Sequence, residues 1–204
     1  KTGKTHQSVE DIATFRALPG IDVIAPADGP ELRAAMRAIS VSGRPTYLRL
    51  TRDASPVIFR PDYEFEIGKA VPLRAGTDLG IISTGVQTVR VLEMAELLSE
   101  RGFEAAVLHV PSIKPLDTEA IVAIAEQTNL LMTAEDHSII GGLGGAVAEV
   151  LGEHRPTRMK RIGIQDRYGE SGPNDALLEK YGLSVDYMVH RALELLGAKG
   201  AASA

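Results

Sequence analysis

The 204-residue sequence contains no cysteine at all. That absence removes disulfides, thiolate nucleophiles and cysteine-based metal sites together. Basic charge is not in excess either, since the formal net charge is −5, and no lysine- or arginine-rich run occurs. A partner built of phosphodiesters calls for a basic face, so nucleic-acid binding is not expected. No apolar stretch approaches the roughly 18 residues of a membrane span, and no signal-peptide pattern is present, so the protein is read as soluble and cytoplasmic. The first residue is Lys1 rather than methionine, which is read as the mark of a processed, truncated or domain-length piece. There is no internal repeat, and the one biased segment is the small-residue tail at 197–204.

What is present is a globular composition, 44% hydrophobic, long enough for one large domain or two small ones. The most informative stretch is the opening run from Gly3 through Lys4, Thr5, His6, Gln7, Ser8, Val9 and Glu10 to Asp11. A glycine turn there sets an imidazole just before an amphipathic segment. Ser8 or Thr5 can cap the following helix, and Glu10 and Asp11 fall in its first turn, where the helix dipole favours negative charge. A histidine so placed is held on a loop by a rigid element.

Apolar spacing predicts a helix over 8–18, stopped by Pro19 and Gly20, then a short buried strand over 22–25. Asp28 or Gly29 caps a second helix with Pro30 in its first turn, and Leu32, Ala35, Met36 and Ile39 form its apolar face. Thr46–Leu50 is rich in β-formers and reads as the next strand. From Arg52 to about Gly76 prolines and glycines interrupt the pattern, which reads as a connection between domains. Strands at 79–83, 105–110, 130–134 and 159–164 then alternate with helices at 86–101, 117–127, 143–153, 173–181 and 185–197. Parallel neighbours need crossover connections, so this alternation implies a mostly parallel sheet with helices on both faces.

Several groups invite chemistry. Gly141, Gly142, Leu143, Gly144 and Gly145 open a helix after a strand, but the dinucleotide fingerprint fails at Val147 and the lysine of a P-loop is missing. No nucleotide site is assigned; the glycines are read as permitting a tight turn and close packing. Glu135, Asp136 and His137 end the preceding strand, where open α/β sheets commonly bind ligands, yet no second histidine stands at metal spacing. They are read as loop anchors or interface residues. Asp166 and Arg167 end the next strand and are read as structural, pairing locally or across an interface with another chain. His109, His154 and His190 are assigned core or surface roles. Arg52 follows the strand at 46–50, where its guanidinium suits a phosphate or carboxylate, with a surface salt bridge as the plain alternative. Arg49 points to the opposite side and need not share that task.

The order of these segments carries a resemblance. The Thr5–Asp11 loop, the Leu18-Pro19-Gly20 and Val23–Asp28 runs, the Arg49–Arg52 strand end, Ser112–Asp117, the Ala134–Gly145 block and the Ile164–Gly172 block together resemble transketolase, over nearly all of residues 1–197. More narrowly, the chain is similar to the C-terminal section of a split, two-subunit transketolase. The resemblance implies a partial pyrimidine-binding α/β domain (residues 1–64) followed by a three-layer C-terminal α/β domain with a mostly parallel sheet (residues 65–204). It also implies a thiamine diphosphate enzyme that moves a two-carbon ketol unit between sugar phosphates. His6 then matches the family histidine that reaches the bound sugar, as a catalytic and substrate-binding residue, and Arg52 the arginine that holds the substrate phosphate. Thr2 replaces an aspartate common in the family, which leaves the preferred sugar open.

In the family, thiamine diphosphate and its Mg²⁺ are bound mainly by a separate N-terminal section, and the glutamate that activates the cofactor lies upstream of the His6 loop. Neither region is contained in the sequence. The implied partners are therefore an N-terminal transketolase section, assembled as a homodimer or heterotetramer, and phosphorylated sugars; alone, the chain is not expected to catalyse transfer. Two other readings share the architecture, the β subunit of a 2-oxoacid dehydrogenase and a deoxyxylulose-phosphate synthase fragment. A third is a non-catalytic assembly domain, favoured for the region beyond residue 65 taken by itself.

Overall fold

The computed structural model describes residues 7–52 and 54–197. Its first elements are α1 (Asp11–Ala17), β1 (Asp22–Ile24), α2 (Gly29–Ser42) and β2 (Thr46–Leu48). Helix α2 begins as its sequence dictates: the Asp28 carboxylate accepts from the Glu31 amide at 2.9 Å, Pro30 stands in the first turn, and Gly43 ends the helix at φ +67°. The other Asp28 oxygen takes the Ile58 and Phe59 amides at 2.7 and 2.8 Å, and Ser55 Oγ donates to the Ala27 carbonyl at 2.7 Å. One capping residue thus also fastens the far end of the loop that carries Arg52.

Helix α1 departs from expectation. It starts at Asp11 rather than residue 8, with Glu10 at the N-cap position and no side chain capping it. The cause is tertiary. The Val9 carbonyl accepts from the Ser138 amide at 2.8 Å, which draws residues 8 and 9 out of the helix and along another strand end. Ser8 is therefore not a cap, and Thr5 lies outside the described residues. In α2, Met36 proves half-exposed, while Glu31, Ala34 and Ala35 turn inward.

The rest comprises β3 (Val71–Arg74), β4 (Leu79–Ser83), α3 (Gln87–Ser99), β5 (Ala105–His109), β6 (Ser112–Lys114), α4 (Thr118–Thr128), β7 (Leu130–Ser138), α5 (Leu143–His154), β8 (Arg158–Ile164), α6 (Asn174–Lys180) and α7 (Val185–Leu196). Five strands form a sheet in the order β3-β5-β4-β7-β8, parallel except for β3. Strand alternation divides its core. Leu79, Ile81, Val107, Met132 and Ile162 face α3 and α7, whereas Ile82, Leu108 and Leu131 face α4 and α5. The result is the three-layer α/β arrangement expected.

Two strands escape the sequence pattern. Strand β3 lies inside the stretch read as a connection, because Pro72 looks like a breaker; at a sheet edge, a proline lacking its N–H is tolerated. Strand β6, three residues between Pro111 and Pro115, is too short to show a period. It pairs antiparallel with β1 in the smaller sheet β2-β1-β6, so a strand from beyond residue 65 completes the sheet begun by residues 22–48. Buried polar groups reinforce this join: His109 on β5 contacts Glu31 of α2 at 2.9 Å through Nε2 and Thr88 at 2.7 Å through Nδ1.

Candidate active site

Strand β7 runs four residues further than its apolar part, so that Glu135, Asp136 and His137 are carried to its carboxyl end, against α1 and the residues before it. There Arg49, just past β2 and nearly buried, meets two carboxylates. Its Nε donates to Asp11 Oδ2 at 2.9 Å and its Nη1 to Asp136 Oδ1 at 2.7 Å, while Nη2 reaches the Asp136 carbonyl at 3.1 Å and the Ser8 carbonyl at 3.4 Å. The Tyr47 hydroxyl donates to the same Asp11 oxygen at 2.7 Å; burial, with Asp11 beside it, pushes that phenol up to about 12, so it keeps its proton. Phe15 stacks on Tyr47 with centroids 3.8 Å apart. The other end of α1 is held as well, by Arg16 donating to the Gly141 carbonyl at 2.8 Å and pairing with Glu149.

Glu135 and the glycine loop explain one another. The two Glu135 oxygens accept the Leu143 and Gly144 amides at 2.7 and 2.8 Å, so the carboxylate caps α5 from the preceding strand. A side chain at Gly142 would collide with Glu135 Oε2, and Gly141, at φ +74°, has Ala13 packed against it. Burial raises the Glu135 carboxyl to about 7 against the opposing pull of those amides. His137 is fully buried beside it, and burial holds its imidazole below the ordinary histidine value. The neutral ring with Nδ1 protonated fits its surroundings: Nδ1 donates to the Ser138 carbonyl at 2.8 Å and Nε2 accepts from the Ala13 amide at 3.4 Å. The anchoring roles expected for these residues and the packing role of the glycines are what the geometry displays.

The two residues expected to meet substrate stand differently. His6 lies outside the described residues, one position before the first of them and two before Ser8, whose carbonyl Arg49 holds. Arg52 lies on the exposed loop between β2 and the Asp28-held residues 58–59. Among the described residues no group of three or more metal-ligating side chains comes together, and the amides at the start of α5 are occupied by Glu135. The described residues therefore do not fit a diphosphate with its metal, and none is assigned to hold it. A cavity of about 410 Å³ beneath β8 and α7 shares no residue with this cluster. His154 and His190 are exposed beside Glu153 and Glu194. No described helix is long and apolar enough to cross a membrane. Sequence reasoning missed Arg49 as a joining residue; its proximity to Asp11 and Asp136 depends on strand β7 overrunning its apolar segment, which spacing alone does not reveal.

The chain thus has an α/β fold whose short sheet is completed by a strand from the region of a larger, mostly parallel one. The transketolase C-terminal domain family matches residues 68–188 and the transketolase pyrimidine-binding domain family residues 1–57. The chain belongs to the transketolase family. It is similar to the 6-deoxy-6-sulfo-D-fructose transketolase subunit SqwH of Clostridium sp. (strain MSTE9), 42% identical over 97% of this chain and 61% of that protein. A second relative, an apulose-4-phosphate transketolase subunit of Phocaeicola vulgatus, is 38% identical over 95% of this chain and 62% of its own length. Among solved structures, a split-gene transketolase in the form of an inactive β4 tetramer superposes with a TM-score of 0.92 at 42% identity, over 97% of this chain and 65% of that one. The chain thus spans about three fifths of the length of the curated relatives it matches.

Proposed function

We propose that the chain acts as the C-terminal section of a two-part, thiamine diphosphate-dependent transketolase, transferring a two-carbon ketol unit between anionic sugars. The observation that carries this reading is the agreement with a split-gene transketolase over 97% of the chain. In this reading residues 1–64 end a pyrimidine-binding domain, residues 65–204 form the C-terminal domain, and the protein is cytoplasmic. The N-terminal section is the partner, in a homodimer or heterotetramer, and holds thiamine diphosphate with Mg²⁺. The cofactor, once bound there, supplies the electron sink that carbon–carbon cleavage requires.

This chain's contribution is substrate-side. His6 hydrogen-bonds sugar oxygens near the reacting carbons, and Arg52 fixes the distant anion, so that the sugar is held at both ends. The relatives named for a sulfosugar and for a sugar phosphate support an anionic terminus, and the guanidinium fork suits either group.

The test is reconstitution with the cofactor-binding section, thiamine diphosphate and Mg²⁺, followed by assay of ketol transfer between phosphorylated and between sulfonated sugars. Arg52→Ala is expected to raise KM for the anionic sugar about 10- to 100-fold, the loss of a charge-assisted pair. His6→Ala is expected to lower kcat about 100-fold or more. Unchanged transfer in both variants would remove the site assignment. Condensation of pyruvate with an aldose phosphate would mark a deoxyxylulose-phosphate synthase, a requirement for a lipoyl acceptor the dehydrogenase, and no activity under any condition the assembly domain.

A further inference from the structure

We propose that Arg49 is a positioning residue that sets the backbone directly following His6, and that Asp11 and Asp136 are its two anchors. The inference rests on the substrate-side role given to His6 above. Residues 7–10 belong to no helix or strand, and among the described residues two long-range hydrogen bonds hold the backbone of Ser8 and Val9: the Ser138 amide to the Val9 carbonyl at 2.8 Å and Arg49 Nη2 to the Ser8 carbonyl at 3.4 Å. Arg49 governs both. By gripping the Asp136 carboxylate at 2.7 Å and its carbonyl at 3.1 Å, it fixes the end of β7 that presents the Ser138 amide. By gripping Asp11 at 2.9 Å it fixes the first residue of α1, five positions after His6. One planar cation therefore spans three pieces of backbone, the residues following His6, the start of α1 and the end of β7.

The same geometry says why arginine is needed. Lysine concentrates its donors on one nitrogen and does not reproduce the planar spread that reaches Asp11, Asp136 and the Ser8 carbonyl together; the guanidinium donates from three nitrogens in one plane. Asp11 and Asp136 have side chains only 6% and 20% exposed, so water does not replace the missing donor well. Loss of Arg49 shifts the loop relative to the sugar, and reactions of this kind lose rate steeply with small misplacements of the reacting groups.

A merely structural role would leave a different kinetic signature. In the reconstituted enzyme, Arg49→Met lowers kcat by about 10- to 100-fold and leaves KM for the anionic sugar within about twofold, since Arg52 is untouched. Arg49→Lys and Asp136→Asn, which keep more of the packing, give intermediate losses. Combined with His6→Ala, each causes no further fall in kcat. Equal losses with and without His6 would overturn the inference, as would a change confined to KM. A His6→Ala variant with full activity would instead remove the functional reading and this inference with it. A second measurement needs no partner section: in the chain alone, amide exchange at residues 9–13 rises at least about tenfold in Arg49→Lys while exchange in β4 and β5 stays as in the parent. Unchanged exchange at 9–13 would also overturn the proposal.

Discussion

Glu135 is a carboxyl group whose folded environment works against its charge. Because its folded value is about 7 while an unfolded glutamate titrates near 4.5, the folded state holds a proton between those values that the unfolded state has released. Stability therefore falls as pH rises through that window, by up to about 3 kcal/mol, and the penalty is full above about pH 7. His137 acts in the opposite sense, since its lowered value means that the unfolded chain takes up the proton first, and stability is lost as pH falls below about 6.5. Glu135→Gln removes the first effect and keeps the second. Urea midpoints measured from about pH 5 to 8 should then fall toward acid more steeply in the variant than in the parent. The residue scale was partly legible: the acidic pair and histidine at a strand end were visible as anchors, and Arg52 was visible after its strand. Arg49 was not, because the partners that define it lie 38 and 87 residues away.

Helices and strands were most legible where local chemistry decides them. Asp28, Pro30 and Gly43 mark α2 at both ends, and the structure adds only that Asp28 serves three amides instead of one. Asp28→Ala removes the cap and strands two further donors, so a loss of about 2–4 kcal/mol is expected in thermal or urea unfolding. The glycine turn before α5 is constrained from the other side. Gly142→Ala forces Glu135 off the helix amides, with an expected loss of at least about 2 kcal/mol. Gly152→Ala, whose new methyl meets nothing within 4 Å, should be neutral or stabilising by under about 1 kcal/mol. Illegible elements were those shaped by their neighbours. Strand β3 tolerates Pro72 because it is an edge, and α1 loses its first turn because Val9 pairs with β7; neither fact exists before the chain is folded.

For the molecule as a whole, alternation of strands and helices was enough to anticipate the parallel sheet and its two helical layers. It was silent on how the smaller sheet is finished. Since β6 pairs with β1 while following directly on β5 of the larger sheet, and Glu31 meets His109 across the same join, the two sheets are expected to unfold in one transition. Far-ultraviolet circular dichroism and hydrogen exchange in β1 and β4 should report coincident midpoints. Ile113, 1% exposed, contributes to the cluster with Ile12, Val23 and Ala25. Ile113→Ala should cost about 2–4 kcal/mol and raise exchange in β1, far earlier in the sequence.

Strand β6 also limits how such a chain can be recombined. A hybrid that took residues 1–64 from one relative and the remainder from another would receive its third strand, with the partners of Val23 and Ile24, from the second parent. Crossing over at that boundary splits a hydrogen-bonded ladder between two lineages. A hybrid joined after Pro115 keeps that ladder within one inheritance but parts β4 from β7 in the larger sheet, so the crossover point decides which of the two sheets is shared between lineages.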